Sequence, residues 1–389
     1  MRLFDQLTLM REGARIAGRQ VTRMARSAKP QRFAGTPTEI CRQVVAACWN
    51  GTYFRAGIDH LDQFWIRDFA ISLEGLIDLG YADQCSQNLE WALERYAAAG
   101  RVTTTIFLDK EPVDIFTYSS DSLPFLLYSL ERLGLHDLRA KYRDLLTRET
   151  SLYYVKLFDS TSGHPRANEM FSATKDTMNF TGTCFTSTMV AWCSKLLTRC
   201  EELPNPFRKF DLVKVVNEQF WNGEFFRNDL HTKPDLCSGD ANFWPYWCEV
   251  VDNPGEMLPR SIAAVQAAGL DDPFPLKYHP KRLPDHELTL QRWFIPNYQG
   301  DSIWTFFTPQ WIELVGTIDA ARAGAYTRAY CEWLEEYGTW VEVFDPGGKH
   351  PLRGRVSYGS DWGMLWAANF PRVIDKFAAT EEKTDTTSA

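Results

Sequence analysis

Carboxylates set beside aromatic rings are where this chain could do chemistry. The run Trp340-Val341-Glu342-Val343-Phe344 alternates like a strand, and a period of two puts Trp340, Glu342 and Phe344 on one face. A carboxylate flanked by rings is either paired or functional. Such surroundings push its pKa up, which suits a general base. An exposed strand face is the competing reading. Arg67 and Asp68 stand side by side between Trp65 and Phe69, at the first turn of a helix-like run. Charges are costly among aromatics unless they are paired or face something polar. A salt bridge at a helix mouth and a polar clamp on a ligand both satisfy that condition. Asp121 opens another helix-like run and reads equally well as an N-cap. Glu169, Lys175 and Asp176 precede a helix, Asp229, Asp240 and Asn242 cluster in 225–247, and Gln299 and Trp304 lie in 297–307.

Composition narrows the class of function. The 389 residues are 44% hydrophobic and 24% charged, as in a globular chain. No apolar run reaches the roughly 20 residues of a membrane helix. A net charge of −8 argues against nucleic acid as partner. The 14 tryptophans include Trp65, Trp221, Trp244, Trp247, Trp304, Trp340 and Trp362, many beside polar residues. Such faces build cores with a partner for each indole N–H, and they also stack on sugar rings. Nine cysteines without a Cys-x-x-Cys pair speak against zinc or a redox motif. They point to free thiols in a reducing, cytoplasmic setting. The first 35 residues are arginine-rich without a secretory apolar stretch. A helix docked on the domain, a membrane-surface segment and a transit peptide all fit them, docking best. The polar run 378–389 reads as a frayed tail.

Helices must position these side chains. Apolar residues recur at i, i+3, i+4 over 37–50, 65–79, 83–98, 119–134, 137–149, 182–199, 208–220, 241–252, 255–268, 302–319, 324–337 and 358–376. Gly80, Gly134, Gly269 and Gly338 supply stops. Strand-like pieces lie at 101–109 and 340–345. About a dozen helices in sequential pairs, without a dividing linker, predict one all-α domain over 36–377. Closed into a ring, such pairs would bring their polar joints together on one face.

The order and wording of the polar segments resemble the (α/α)6-barrel glycoside hydrolases. That clan includes glucoamylases, trehalases, neutral invertases, amylo-α-1,6-glucosidases and the mannosylglycerate and glucosylglycerate hydrolases. "WIRDF" is similar to the Trp-x-Arg-Asp segment that holds the sugar, and "YSSDSLPFLLYSL" to an Asp-bearing helix start. "NYQGDSIW" is similar to the Tyr-x-x-Gly-x-x-Trp helix opening, "WVEVFDPGGKHP" to the run with the catalytic base, and "SYGSDWGMLWA" to the last barrel helix. The likeness spans about residues 50 to 375, in order. It implies an (α/α)6 toroid that needs neither metal nor organic cofactor. It also implies inverting hydrolysis of a small carbohydrate, α-linked and gluco- or manno-configured. By position it makes Glu342 the general base and Asp176 the general acid, with Glu169 in reserve. Trp65, Arg67, Asp68, Asp121, Asn242, Gln299 and Trp304 become substrate-binding positions. An acid at Asp176 requires Lys175 to turn away. The chain has little room for the β-sandwich domain of many members, which favours small substrates. A sugar epimerase or isomerase, or a non-catalytic sugar-binding barrel, remains the alternative. Epimerases of this fold rely on barrel histidines, and the seven here fall mostly in loops.

Overall fold

A computed structural model of the chain describes residues 30–378 apart from 109, 233–235, 275 and 356–357. Of the first 29 residues it describes Arg11, Ala14 and Gly18. The basic segment 1–35 and the tail 378–389 therefore lie largely outside the described residues. Arg11 forms an ion pair with Glu111 at 2.9 Å.

Hydrophobic periodicity builds six successive helical layers, each an outer helix followed by an inner one. The first two are α1 (Pro37–Cys48) with α2 (Ile66–Asp78) and α3 (Ala82–Ala99) with α4 (Ser122–Arg132). The third combines α5 (His136–Lys141) and α6 (Arg143–Leu157) with α7 (Cys184–Arg199). The fourth sets α8 (Leu212–Phe220) before the one-turn α9 (Trp244–Trp247), and the fifth opens with α10 (Pro254–Ala267). The short α11 (Thr289–Phe294) interrupts the long link before a 3₁₀ turn, Thr305–Phe307, and α12 (Thr308–Gly316) complete the fifth layer. The last is α13 (Ala320–Tyr337) followed by the 3₁₀ turn Leu365–Asn369 and α14 (Phe370–Phe377).

Inner and outer helices differ as their positions require. In α2, residues from Ile66 to Leu73 are all buried, as expected of a helix surrounded by protein. In outer α3 burial follows one stripe through Cys85, Leu89, Ala92, Leu93 and Tyr96. The inner elements form a closed ring. α2 packs on α4, α4 on α7 and α7 on α9. Phe243 meets Phe307 edge-on at 5.2 Å, Phe306 meets Trp366 at 5.7 Å, and Leu365–Asn369 returns to α2. At that closure Gly75 lets two backbones touch, since a Cβ there would lie 2.2 Å from the Ala368 carbonyl. Asn369 ties the seam, accepting from Gly75 N at 2.8 Å and donating to Ile71 O at 2.7 Å. The fold is thus the all-α toroid expected.

Short strands stitch the joints. Among the described residues β1 (Phe64–Trp65), β2 (Thr105–Ile106) and β3 (Pro112–Val113) form one antiparallel sheet. β4 (Phe158–Asp159) pairs with β5 (His164–Pro165), and β6 (Ile303–Trp304) with β7 (Val343–Phe344). Three expected helices are shorter than their patterns. The 241–252 pattern yields one turn, because Glu249 turns to φ 56 and ends it. The first residues of 302–319 join a ladder, and 358–376 becomes helical only from Leu365. In each case apolar residues at a barrel joint serve a strand or loop rather than a helix face, which periodicity cannot distinguish over so few residues.

Candidate active site

The joints converge on a cavity of about 420 Å³. The first chemistry-bearing joint is β1 into α2. Arg67 and Asp68 are buried there, but they do not pair as the opening run suggested. Adjacent helical residues point about 100° apart, so i and i+1 face different neighbours. Arg67 Nε donates to Asp121 Oδ2 at 2.6 Å, and its Nη1 lies 3.8 Å from Asp176 Oδ2. Its Nη2 has no hydrogen-bond partner among the described residues. Asp68 accepts from the Trp366 indole at 3.0 Å. Burial pushes the Asp68 pKa up to about 7, against Arg67, which favours the charge. Neither acid caps its helix through its side chain. Asp121, wholly buried, instead supports Arg67 from behind and accepts from Ser119 at 2.6 Å.

Asp176 lines the same cavity from the loop before α7. Burial raises its pKa to about 6, while Arg67 and a hydrogen bond from Gln299 oppose the rise. Gln299 clamps this loop. Its Nε2 donates to Thr174 O at 2.7 Å and to Asp176 Oδ1 at 3.2 Å, and its Oε1 accepts from Thr177 N at 2.8 Å. Lys175 does face elsewhere, forming a buried ion pair with Asp240 at 2.9 Å and a hydrogen bond with Asn228. Glu169 is exposed and outside the cavity lining.

Glu342 is 1% exposed and lines the cavity from the joint before β7. Its Oε1 accepts from Tyr298 Oη at 2.5 Å, and its Oε2 from Tyr358 Oη at 2.8 Å and Asp361 N at 2.9 Å. Burial raises its pKa, while nearby His60 and the Tyr298 hydrogen bond hold the rise back. The rings beside it are therefore not Trp340 and Phe344. Trp340 packs on Tyr330 and Phe370, and Phe344 on Trp333. The β6–β7 ladder covers only Val343 and Phe344, and Val341 bridges separately to Trp362, so the run is not one uninterrupted strand.

The cavity thus gathers Trp65, Arg67, Asp68, Asp176, Gln299, Trp304 and Glu342. Asn242 lies elsewhere. It is wholly buried and saturated by backbone partners, bonding Phe226 N and O and Ser238 O. It braces the joint before α9. The lining residues that the sequence did not single out include His60, Tyr298, Tyr358 and Trp366. The last three sit inside the quoted runs "NYQGDSIW" and "SYGSDWGMLWA", beside residues that looked more chemical. His60 had no local signal. It is buried, 3.5 Å from Asp361, whose carboxylate also accepts from the N–H groups of His60 and Leu61 at 2.9 and 2.8 Å. Gly57 permits this contact, because a Cβ there would lie 2.9 Å from the Asp361 carboxyl. Among the described residues no His, Cys, Asp and Glu cluster could hold a metal ion.

Fold and site together define a toroid with several buried carboxylates on one cavity. No family model matches the sequence, and no curated protein matches it. Solved structures do share the fold. A glycosidase variant bound to glucose superposes with a TM-score of 0.58 at 11% identity, over 88% of this chain and 96% of that one. A GH63 mannosylglycerate hydrolase from Thermus thermophilus, bound to Tris and D-glycerate, gives 0.57 at 12%, over 87% and 100%. A GH78 rhamnosidase of a Bacillus species gives 0.57 at 14%, over 87% of this chain and 34% of that one.

Proposed function

We propose that the protein is a glycoside hydrolase acting on a small glycoside, with Asp176 as general acid and Glu342 as general base. One observation carries the reading. Of the three buried carboxylates that line the cavity, Asp176 and Glu342 sit in environments that suit different tasks. Asp176 sits with few donors and its pKa near 6, so it can hold a proton near neutral pH. Glu342 is met by three donors that favour its charged form and aim it.

Asp176 gives its proton to the glycosidic oxygen as the bond to the anomeric carbon breaks and the electron pair leaves with that oxygen. Water attacks the opposite face, and Glu342 takes its proton. Inversion follows if water fits between the carboxyls, which in inverting enzymes lie roughly 6.5–9.5 Å apart. Arg67 Nη2 and Asp68 supply a donor and an acceptor for sugar hydroxyls, and Trp304 and Trp366 supply faces. The glycosidases that share the fold support this reading, as does the order of the sequence motifs. Eight buried free cysteines suit a reducing compartment.

His60 gives a second reading its footing. A histidine on the cavity, which the sequence did not single out, is what an epimerase or isomerase would need. The deciding experiment incubates the protein with α-glucosyl and α-mannosyl fluorides and small α-glycosides, and follows products by proton NMR. Release of β-anomeric free sugar supports inverting hydrolysis. An α-anomer overturns inversion, and interconversion of free sugars without cleavage replaces hydrolysis with epimerisation.

A further inference from the structure

Beside its carboxylates the cavity has an apolar lining. Phe107 and Ile115 are buried in a small cluster with Trp65, and all three line the cavity. Phe116 also lines the cavity, at 39% exposure and from a backbone at φ 61. A bulky residue in the left-handed region is uncommon and persists only where its surroundings hold it there. Ile295, just after α11, also lines the cavity. α11 also turns an apolar face outward, with Leu290, Trp293 and Phe294 at i, i+3 and i+4 and 74%, 65% and 45% exposed. Nine large hydrophobic side chains are exposed among the described residues. Five of them (Leu108, Phe116 and these three) belong to the two segments, 107–116 and 290–295, that line the cavity. Scattered exposed apolar residues need no explanation, but exposed apolar side chains gathered in segments that also line a cavity point to a binding surface.

Charge points the same way. Arg67 is the one arginine or lysine among the described lining residues; its Nε and Nη1 face Asp121 and Asp176, and its Nη2 is assigned to the sugar. Asp68, Asp176 and Glu342 share that lining. Any carboxylate on the leaving group would enter beside these acids with no cation reserved for it.

We propose that the substrate's aglycone is an apolar chain, seated against Phe116 and Ile295 and leaving over the outward face of α11. The proposal rests on the glycosidase reading and names the substrate class for the same site. An amphiphilic glycoside of this kind would place its sugar beside the carboxylates and its chain along the apolar lining. A short polar aglycone would leave the apolar walls unmatched.

The test separates the two claims. Glucosyl and mannosyl fluorides carry no aglycone, so their hydrolysis reports the sugar site alone. With the accepted sugar, kcat/KM is then measured for the methyl, butyl and octyl glycosides below their micelle concentrations, and for the corresponding glycosylglycerate. These alkoxide leaving groups are similar, so the series reads burial rather than reactivity. Each buried methylene contributes about fourfold, so covering roughly half of the octyl chain gives about 10²-fold over methyl. Phe116→Ala and Trp293→Ala should each lower the octyl-to-methyl ratio several-fold. The ratio is internal to each variant and does not depend on how much of it is folded. Fluoride hydrolysis with a flat alkyl series, a ratio unmoved in both variants, or a preference for the glycerate over octyl overturns the apolar aglycone and leaves the glycosidase standing. If neither fluoride is hydrolysed, both readings fall.

Discussion

Replacing Glu342 by Gln should separate the chemistry of the site from its architecture. The carboxylate accepts three hydrogen bonds, two from hydroxyls that can rotate and one from the Asp361 N–H, which cannot. A Gln can keep its oxygen where Oε2 lies, accepting from Tyr358 and Asp361 N. Its amide then faces Tyr298, whose hydroxyl turns to accept. The Asp361 N–H and the Tyr358 hydroxyl keep their acceptor, and a buried charge that shares the cavity with Asp68 disappears. Thermal stability should therefore hold or rise, while turnover falls about 10²–10⁴-fold with the loss of the base. Glu342→Leu keeps the bulk but strands the Asp361 N–H, and it should cost about 1–3 kcal/mol in denaturant unfolding. The assay is initial-rate hydrolysis of the glycosyl fluoride that the wild type accepts, with Tm by calorimetry on the same samples. Fluoride needs little protonation to leave, so its hydrolysis isolates the base. Activity of Glu342→Gln within tenfold of wild type would refute the role. A Tm loss equal to that of the Leu variant would refute the hydrogen-bond argument.

Asp176→Asn should nearly abolish cleavage of alkyl glycosides yet spare the fluoride. Equal loss on both substrates removes it as the acid. Arg67→Ala strands Asp121 in a fully buried setting and should destabilise by about 3–5 kcal/mol as well as weaken capture; an unchanged denaturation midpoint contradicts the pairing. Lys175→Met should cost a similar ~3–5 kcal/mol by leaving Asp240 unpaired, and a loss under ~1 kcal/mol would mean that the pair is not buried as described. Asp68 and Asp176 have folded pKa values near 7 and 6, above their unfolded values. Their contribution to stability is therefore complete below about pH 4 and lost as pH rises through 6 to 7. Asp68→Asn should raise Tm at about pH 8 and not at about pH 4; a gain of equal size at both would contradict the shift.

Much of the architecture was legible because it rests on repetition. Twelve apolar periodicities in pairs predict an all-α domain, while its closure into a ring came from the resemblance; most outer helices keep close to their expected spans, but the 137–149 pattern becomes two helices and runs on to Leu157. The joints were less legible, because each is set by partners far away in the chain. Arg67 reads as a neighbour of Asp68, yet it is held by Asp121, which periodicity could not bring to it. Glu342 was found through a strand pattern that the fold does not sustain, and its real neighbours lie at positions 298, 358 and 361. Asn242 was a substrate-binding position only through the resemblance. Its backbone partners are invisible without the loop. His60 had no pattern of its own and enters through Asp361, three hundred residues on.

The adjacency of Tyr298 and Gln299 carries a mechanical consequence. One of these consecutive residues bonds Glu342 and the other bonds Asp176. A single peptide unit therefore acts as a caliper between the two carboxyls. Any displacement of that unit, whether by an insertion in the link after α11 or by a ligand pressing on the loop, is transmitted to both groups at once. Insertions close to the caliper should therefore be tolerated less well than insertions earlier in the link. Gln299→Glu, which keeps length and bulk but repels Asp176, would open one jaw and leave the other closed.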